Sequence, residues 1–278
     1  MAPGEPKRQE GGRRCQPGTD PETETRPLVS IITVVFNGAM TLEKTVRSVA
    51  DQTFRNFEYI IIDGGSTDGT IDLLIEHTEE IDYWISEADN GIYDALNKGI
   101  DLARGDWLYF IGADDRLVDN SILERFFSRP VDSKMLYGNV YWGENGETVA
   151  GEFYPERFYT RNICQQAIFY HRKLFQRLGN FDLKYRLVAD WVFNMQAFGL
   201  KTTRPQYMDC VVAVYSLGGA STNVWDKEFL KNREKLFIRS FGIGTYFRFK
   251  GASLFEKALR HSPKLKAIVD YCSRQGND

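Results

Sequence analysis

Four cysteines in 278 residues, Cys15, Cys164, Cys210 and Cys272, stand far apart with no Cys-x-x-Cys pair. That spacing suggests neither a zinc site nor a disulfide framework. No apolar run approaches the ~18 residues needed to span a bilayer, and the N-terminus lacks the apolar core of a secretion signal. A basic excess is missing too: 35 Lys and Arg face 38 Asp and Glu, a formal net charge of −3, which argues against nucleic acid as the main partner. Internal repeats and a convincing linker are absent. With 42% hydrophobic and 26% charged residues, the chain reads as an ordinary soluble globular protein in a reducing, cytoplasmic setting.

Residues 1–27, rich in Pro, Gly and charge, have almost no large apolar side chains. They are expected to form a disordered leader, because little burial offsets the entropy of ordering them. From residue 28 the pattern alternates. "LVSIITVVF" (28–36) is a β-branched run of the kind found in buried parallel strands. "TLEKTVRSVADQ" places Leu42, Val46 and Val49 on one helical face behind a candidate cap, Thr41. "FEYIIID" (57–63), a Gly-rich turn, and a helix marked by Ile71, Leu74 and Ile75 come next. "IDYWIS" (81–86), a helix striped by Leu96 and Ile100 and ended at Gly105, and "WLYFI" complete a β-α-β-α-β-α-β series. Such a series predicts an α/β fold with a mostly parallel sheet flanked by helices.

In open α/β sheets ligands bind beyond the carboxyl ends of the strands. Three strand ends carry polar groups: Phe36-Asn37, Asp63 and Asp114-Asp115. Two adjacent carboxylates at such a rim suit a hard divalent cation, which prefers oxygen ligands and bridges to phosphates. Equally, Asp114 and Asp115 could cap the helix "SILERFF" or form a turn. The second half reads differently, with a hairpin around Glu144-Asn145-Gly146, a strand "QQAIFYH", a helix over 188–199 with Asp190 in its first turn, and a strand "YMDCVVAVYS".

Together, "VSIITVVFN", "IIIDGGSTDGT", "NGIYDALNKGIDLARGDWLYFIGADD" and "GNFDLKYRLVADWVF" resemble the family 2 glycosyltransferases, which have a GT-A type nucleotide-sugar-binding fold. The likeness spans roughly residues 28–215, and "NGIYDALNKGI" is similar to bacterial exopolysaccharide and lipopolysaccharide enzymes of the colanic-acid type. The resemblance implies an inverting, metal-dependent hexosyltransferase that moves a sugar from a nucleotide-diphosphate donor to a saccharide or lipid-linked saccharide. It implies that Phe36, Asn37 and Asp63 hold the nucleoside, Asp63 accepting from the base. Asp114 would lie near ribose and metal, Asp115 would bind Mn²⁺ or Mg²⁺, and Asp190 would be the general base. Asp89, Asn97 and Lys98 join the donor set. For Asp190 the plain alternative is an acid favoured by the helix dipole.

The pattern departs from the family in places. Leu96 stands where relatives often carry a diphosphate-binding Arg, leaving Lys98 as a substitute, and Ala189-Asp190 replaces the usual acidic or polar pair. His171 is either a ligand or structural. Trp142, Phe153, Tyr154, Phe158 and Tyr159 either stack on sugars or pack the core. A nucleotidyltransferase is the rival enzyme, but "FNGAMTLEKT" lacks a Gly-rich phosphate loop; a non-catalytic nucleotide-binding protein on the same fold is the other rival. The expected division is a leader (1–27), a catalytic domain (28–222) and a helical extension (223–278). Residues 227–266 hold eleven basic residues against Glu228, Glu234 and Glu256, interleaved with seven aromatics from Phe229 to Phe255. That composition suits either peripheral contact with anionic lipid at the inner membrane face or aromatic packing onto the catalytic domain.

Overall fold

The computed structural model describes residues 8–17, 26–144, 146–149, 151–216 and 226–251. In chain order the elements are β1 (Gln9–Gly11), β2 (Val29–Val35), α1 (Leu42–Ala50), β3 (Phe57–Asp63), α2 (Thr70–Glu76), β4 (Tyr83–Ser86), α3 (Ile92–Leu102), β5 (Trp107–Gly112) and β6 (Arg116–Leu117). They continue as α4 (Ile122–Phe127), β7 (Met135–Trp142), β8 (Thr148–Val149), β9 (Ile168–His171), α5 (Lys173–Leu178), α6 (Ala189–Gly199), β10 (Gln206–Tyr215) and α7 (Lys227–Phe241).

One sheet runs through them in the order β1-β4-β3-β2-β5-β9-β7-β10-β6, with β8 beside β7. The four strands β4, β3, β2 and β5 are parallel, as their β-branched runs predict. Beyond β5 antiparallel pairs join the parallel core. Strand β9 lies antiparallel to both β5 and β7, and β1, β6 and β8 also pair antiparallel. Only β7 and β10 restore a parallel pair. The sheet is therefore mixed. The reason is local: β9 is entered from a 3₁₀ turn, Gln165–Ala167, at the rim itself. No crossover helix precedes it to carry the chain back to the opposite edge.

Alternation along the strands builds two cores. Ile32, Ile60, Ile62 and Phe110 face α3 and α6, while Ile31, Tyr59, Ile61 and Tyr109 face the layer of α1, α2 and α4. Fully burying each such side chain is worth ~1.5–3 kcal/mol. Helix α3 lies very close to the sheet, since a Cβ at Gly99 would sit 2.5 Å from Ile32 Cγ2. This approach fixes the loop ahead of α3 over the strand ends.

Part of the leader is ordered, against expectation. Gln9–Gly11 adds a strand to the edge of β4, Arg13 pairs with Asp82 at 2.7 Å, and Arg14 pairs with the buried Glu58. An edge strand offers unpaired backbone groups, and a buried carboxylate needs a compensating charge. Apolar content was therefore the wrong measure for this segment. Residues 1–7 and 18–25 lie outside the described residues.

The C-terminal aromatics also belong to the fold. Asp226 caps α7 by accepting from the Glu228 and Phe229 amides. Phe229 and Phe237 are fully buried. Phe229 packs on Trp191 with ring centroids 4.8 Å apart, and Phe241 stacks on Phe158 at 5.6 Å. Phe249 meets Tyr159 at 4.4 Å. Phe255, Glu256, Lys257, Arg260, Lys264 and Lys266, and the expected boundary at 222/223, lie outside the described residues. Among the described residues no helix is long and apolar enough to cross a membrane.

Candidate active site

The parallel register brings the carboxyl ends of β2, β3, β4 and β5 to one rim, with Val35 beside Asp63 and Asp63 beside Ser86. The rim is sewn together by side chains of the "DGGSTDGT" turn. Asp63 Oδ2 accepts from the Gly65 amide (3.0 Å), the Ser66 amide (2.9 Å) and Ser86 Oγ (2.6 Å), while Oδ1 accepts from Ser66 Oγ. Its exposure is 0%. Asp63 thus builds the turn, with both carboxylate oxygens engaged by its own chain. Asn37 sits at φ 53°, in the left-handed region. Its amide donates to Ser66 Oγ at 2.6 Å and its Oδ1 accepts from the Thr67 amide at 2.9 Å. Asp68 likewise takes the Ala39 amide at 3.0 Å, tying the loop after β2 to the loop after β3.

What remains open on this side is Phe36 and Asp89. The Phe36 ring is 66% exposed. Asp89 accepts from the Gly91 amide at 2.8 Å through Oδ1. Its Oδ2 fills the space that a Cβ on Gly64 would need, only 2.5 Å away, with Phe36 Cδ2 at 3.4 Å from the same point. Burial raises the Asp89 pKa.

Two other expected donor contacts are engaged elsewhere. Asn97 makes a reciprocal pair with the backbone of Phe181: Nδ2 to the carbonyl and Oδ1 from the amide, both 2.9 Å. Lys98 Nζ pairs with Glu87 at 2.8 Å and donates to the Ala88 carbonyl at 2.9 Å. Both clamp loops onto α3. Leu96 is 2% exposed and packs in the core, so its position does not face the rim.

At the end of β5 the two acids divide. Asp115 is 2% exposed. Its Oδ2 accepts from Gln166 Nε2 (2.7 Å) and the Gly112 amide (3.3 Å), and its Oδ1 accepts from the Ser216 amide (2.8 Å). Burial pushes its pKa up to about 6, against the opposing Ser216 bond. Asp115 ties β5, the 165–167 turn and the end of β10 together. Asp114 is exposed, and its backbone carbonyl is held by Ser216 Oγ. Among the described residues no cluster of three or more His, Cys, Asp or Glu could hold a metal unaided. Of the β5 pair, Asp114 is the accessible carboxylate, and a cation that completes its shell from phosphate and water, the habit of Mg²⁺, needs no more than one or two such ligands.

Asp190 opens α6. Oδ1 accepts from Tyr93 Oη and Oδ2 from Asn162 Nδ2, both at 2.6 Å. The residue is half-buried, and desolvation of its carboxylate raises the pKa, against the Tyr93, Trp191 and Asn162 donors. Both oxygens of this helix-start carboxylate are thus held by neutral donors. His171 pairs with Trp107, the first residue of β5, at the opposite end of the strand from Asp114; its ring packs edge-on to Trp107. Of the five aromatics, Phe153, Phe158 and Tyr159 are core, whereas Trp142 and Tyr154 remain exposed. Ser66 lies within the "IIIDGGSTDGT" motif, whereas Gln166, Ser216, Asn162 and Ser86 gave no sequence signal as site residues. Only their positions at strand ends and turns could have singled them out.

The profile described as "Glycosyl transferase family 2" matches residues 30–179. A "PGL/p-HBAD biosynthesis glycosyltransferase" of Mycobacterium bovis is 41% identical over 213 residues, covering 74% of this chain and 83% of its own. Glycosyltransferase GlyG of Streptococcus pneumoniae is 28% identical, covering 63% and 55%. In structure, S. aureus TarS 1-349 in complex with UDP superposes with a TM-score of 0.62 at 18% identity, covering 76% of this chain. The present chain spans 64% of that fragment's length. Mannosyltransferase PcManGT from Pyrobaculum calidifontis, in complex with GDP-Man and Mn²⁺, gives 0.57 at 17% identity, with 90% and 81% covered. Matching sequence over more than half its length and GT-A neighbours in its fold place the chain among the family 2 glycosyltransferases.

Proposed function

We propose that this glycosyltransferase moves a hexosyl group from a nucleotide-diphosphate sugar to a hydroxyl of a saccharide or lipid-linked saccharide during bacterial surface-glycan synthesis, inverting the anomeric carbon. The observation that carries the proposal is the Asp190 carboxylate, desolvated, raised in pKa and oriented through both oxygens. A general base works best when its pKa approaches the operating pH. Asp190 takes the acceptor hydroxyl proton as that oxygen bonds to C1. The C1–O bond to the diphosphate breaks, and its electron pair leaves on the β-phosphate oxygen. One displacement gives inversion.

On the donor side Phe36 offers its face to the nucleobase and Asp89 a carboxylate at its edge. Asp114, the accessible acid of the β5 pair, would hold Mn²⁺ or Mg²⁺, which supplies positive charge to the leaving diphosphate. Structural neighbours holding UDP, UDP-GlcNAc or GDP-Man with Mn²⁺ support a nucleotide-sugar donor. Family membership disfavours the nucleotidyltransferase reading.

The cytoplasmic placement and membrane contact belong to the same proposal. Lys227, Lys231, Lys235 and Arg239 recur every four residues along α7 and are exposed, so they share one face. With Leu230, Ile243 and Phe247 also exposed, this face suits anionic lipid around a lipid-linked acceptor.

Asp190→Asn tests the chemistry. Donor binding should persist while transfer falls ~10²–10⁴-fold, and wild-type product should show inverted anomeric coupling by NMR. Near wild-type transfer by the variant, or a retained configuration, would reject the scheme.

A further inference from the structure

The Asp190 carboxylate has no cation beside it among the described residues: no Lys, Arg or His forms an ion pair with it. Its surroundings are instead a set of neutral donors that all point inward. Tyr170 Oη donates to Asn194 Oδ1 at 2.8 Å. Asn194 Nδ2 donates to Asn162 Oδ1 at 3.0 Å, and Asn162 Nδ2 donates to Asp190 Oδ2 at 2.6 Å. From the other side Tyr93 Oη donates to Oδ1 at 2.6 Å. Tyr93 is 7% exposed, and its ring packs on Phe181 with centroids 5.5 Å apart, so water does not readily replace it.

We infer that Tyr93 and the Tyr170–Asn194–Asn162 chain are the positioning device of the site, fixing both the orientation and the basicity of the Asp190 carboxylate. The inference rests on the reading of Asp190 as the general base. The physics is a choice of partner. A guanidinium or ammonium beside a carboxylate lowers its pKa by ~1–3 units and would make a poor base. Leaving the carboxylate bare in a desolvated site would push it toward the neutral acid. A set of neutral donors lies between these extremes, and hydrogen bonds in series polarise one another in the same direction. Asn194 is wholly buried, and Asn162 and Asn194 are each used as donor and acceptor, so their amides cannot flip without breaking bonds at both ends. The same contacts hold three elements in register, since Tyr93 lies on α3, Tyr170 on β9 and Asn194 on α6.

The titratable groups facing Asp190 are Tyr93 from α3, Tyr170 from β9 and Cys164 from the loop before β9. Burial raises all three, the thiol to about 12, so each stays neutral near pH 7. Asp226, the cap of α7, accepts from the Leu187 amide at 3.3 Å behind the start of α6. A pH dependence in the acidic and neutral range therefore reports Asp190 rather than its hydrogen-bond partners.

The test uses the full chain with ¹³C-carboxyl-labelled aspartate, the Asp190 signal being assigned by its loss in Asp190→Asn. In Tyr93→Phe the Asp190 pKa should rise by about one to two units, because one bond to the charged form is gone. Asn162→Ala should raise it by a similar amount, and serves where Tyr93→Phe folds poorly. The acidic limb of kcat against pH should move up in step, while donor KM stays within about twofold. A lowered Tm with the Asp190 pKa unchanged in both variants would leave only structural roles and overturn the inference. A shifted carboxyl pKa with an unmoved kcat limb would uphold the positioning of Asp190 and reject Asp190 as the base.

Discussion

Replacing Asp63 separates a base-reading carboxylate from a turn-building one. In Asp63→Ala four donors lose their acceptor: the Gly65 and Ser66 amides and the Ser66 and Ser86 hydroxyls. The hydroxyls can rotate toward nearby carbonyls, but the two amides are fixed, and both residues are buried. An unsatisfied buried donor costs ~1–3 kcal/mol, so the two amides account for about 2–6 kcal/mol. Removing a buried carboxylate that has no ion pair among the described residues returns part of that. A net loss of about 3 kcal/mol follows, and at ~2–4 °C per kcal/mol for a chain of this size the Tm falls by roughly 6–12 °C.

Asp63→Asn keeps one oxygen and should lose about half as much, again because fewer donors are stranded. Urea and thermal unfolding give the stability. Calorimetric titration with UDP and GDP in Mn²⁺, below the transition, gives donor binding. Nucleotide affinity in Asp63→Asn should stay within about tenfold of wild type, the change being indirect. Unchanged Tm together with affinity lost more than a hundredfold would mean that the carboxylate serves the ligand, and the turn argument would be wrong.

Two further perturbations address the remaining carboxylates and the exposed face of α7. Asp114→Asn should weaken Mn²⁺-dependent binding of nucleoside diphosphate at unchanged Tm, while Asp115→Ala should lower Tm by stranding the Ser216 and Gly112 amides; the reverse pattern in unfolding and titration would return the metal role to Asp115. The full chain should co-sediment with vesicles containing anionic phospholipid at low salt and be released at high salt. Lys231→Glu with Lys235→Glu should lower that binding by about thirtyfold or more, since each basic residue near such a surface adds ~1 kcal/mol; failure of wild type to bind at low salt would exclude the membrane contact.

The parallel half of the fold was legible because its signals are local. Strand β2, Val29–Val35, is a nearly continuous β-branched run, and the glycine-rich turn after β3 has few alternatives. Strand β9 was also visible, but not its direction, which depends on a turn at the rim and on pairing with β5 and β7. The N-terminal strand was hidden for another reason. Gln9–Gly11 gains its place through backbone pairing and through Arg13 and Arg14 finding Asp82 and Glu58, none of which leaves an apolar trace.

The site shows the same division. That carboxylates gather at the strand ends was readable; which of them is free was not. A carboxylate accepts amide protons as readily as it binds a cation, so motif position alone cannot separate the two uses. Asp115 is closed by Gln166, 51 residues away, and by Ser216, 101 residues away. Asp190 was readable from the helix start, but Tyr93, 97 residues before it, and Asn162, 28 before it, were not.

This sorting has an electrostatic consequence for the proposed donor site. Asp63 and Asp115 are turned inward, each met by several hydrogen-bond donors, while Asp89 is half-buried and Asp114 is exposed at the rim. Lys98, the expected partner for a diphosphate, is held by Glu87 and the Ala88 carbonyl. A diphosphate brought beside Asp114 would meet like charge. At an effective dielectric of 20 and about 5 Å, each such pair costs roughly 3 kcal/mol. A single divalent cation between them replaces that repulsion with attraction on both sides. A fixed lysine there would give one compensating charge and would also leave an unpaired cation beside the rim before the donor arrives. On this reading the absence of an arginine at position 96 is consistent with the geometry. Leu96 faces the sheet, and an arginine there would carry its charge into the apolar layer between α3 and β2.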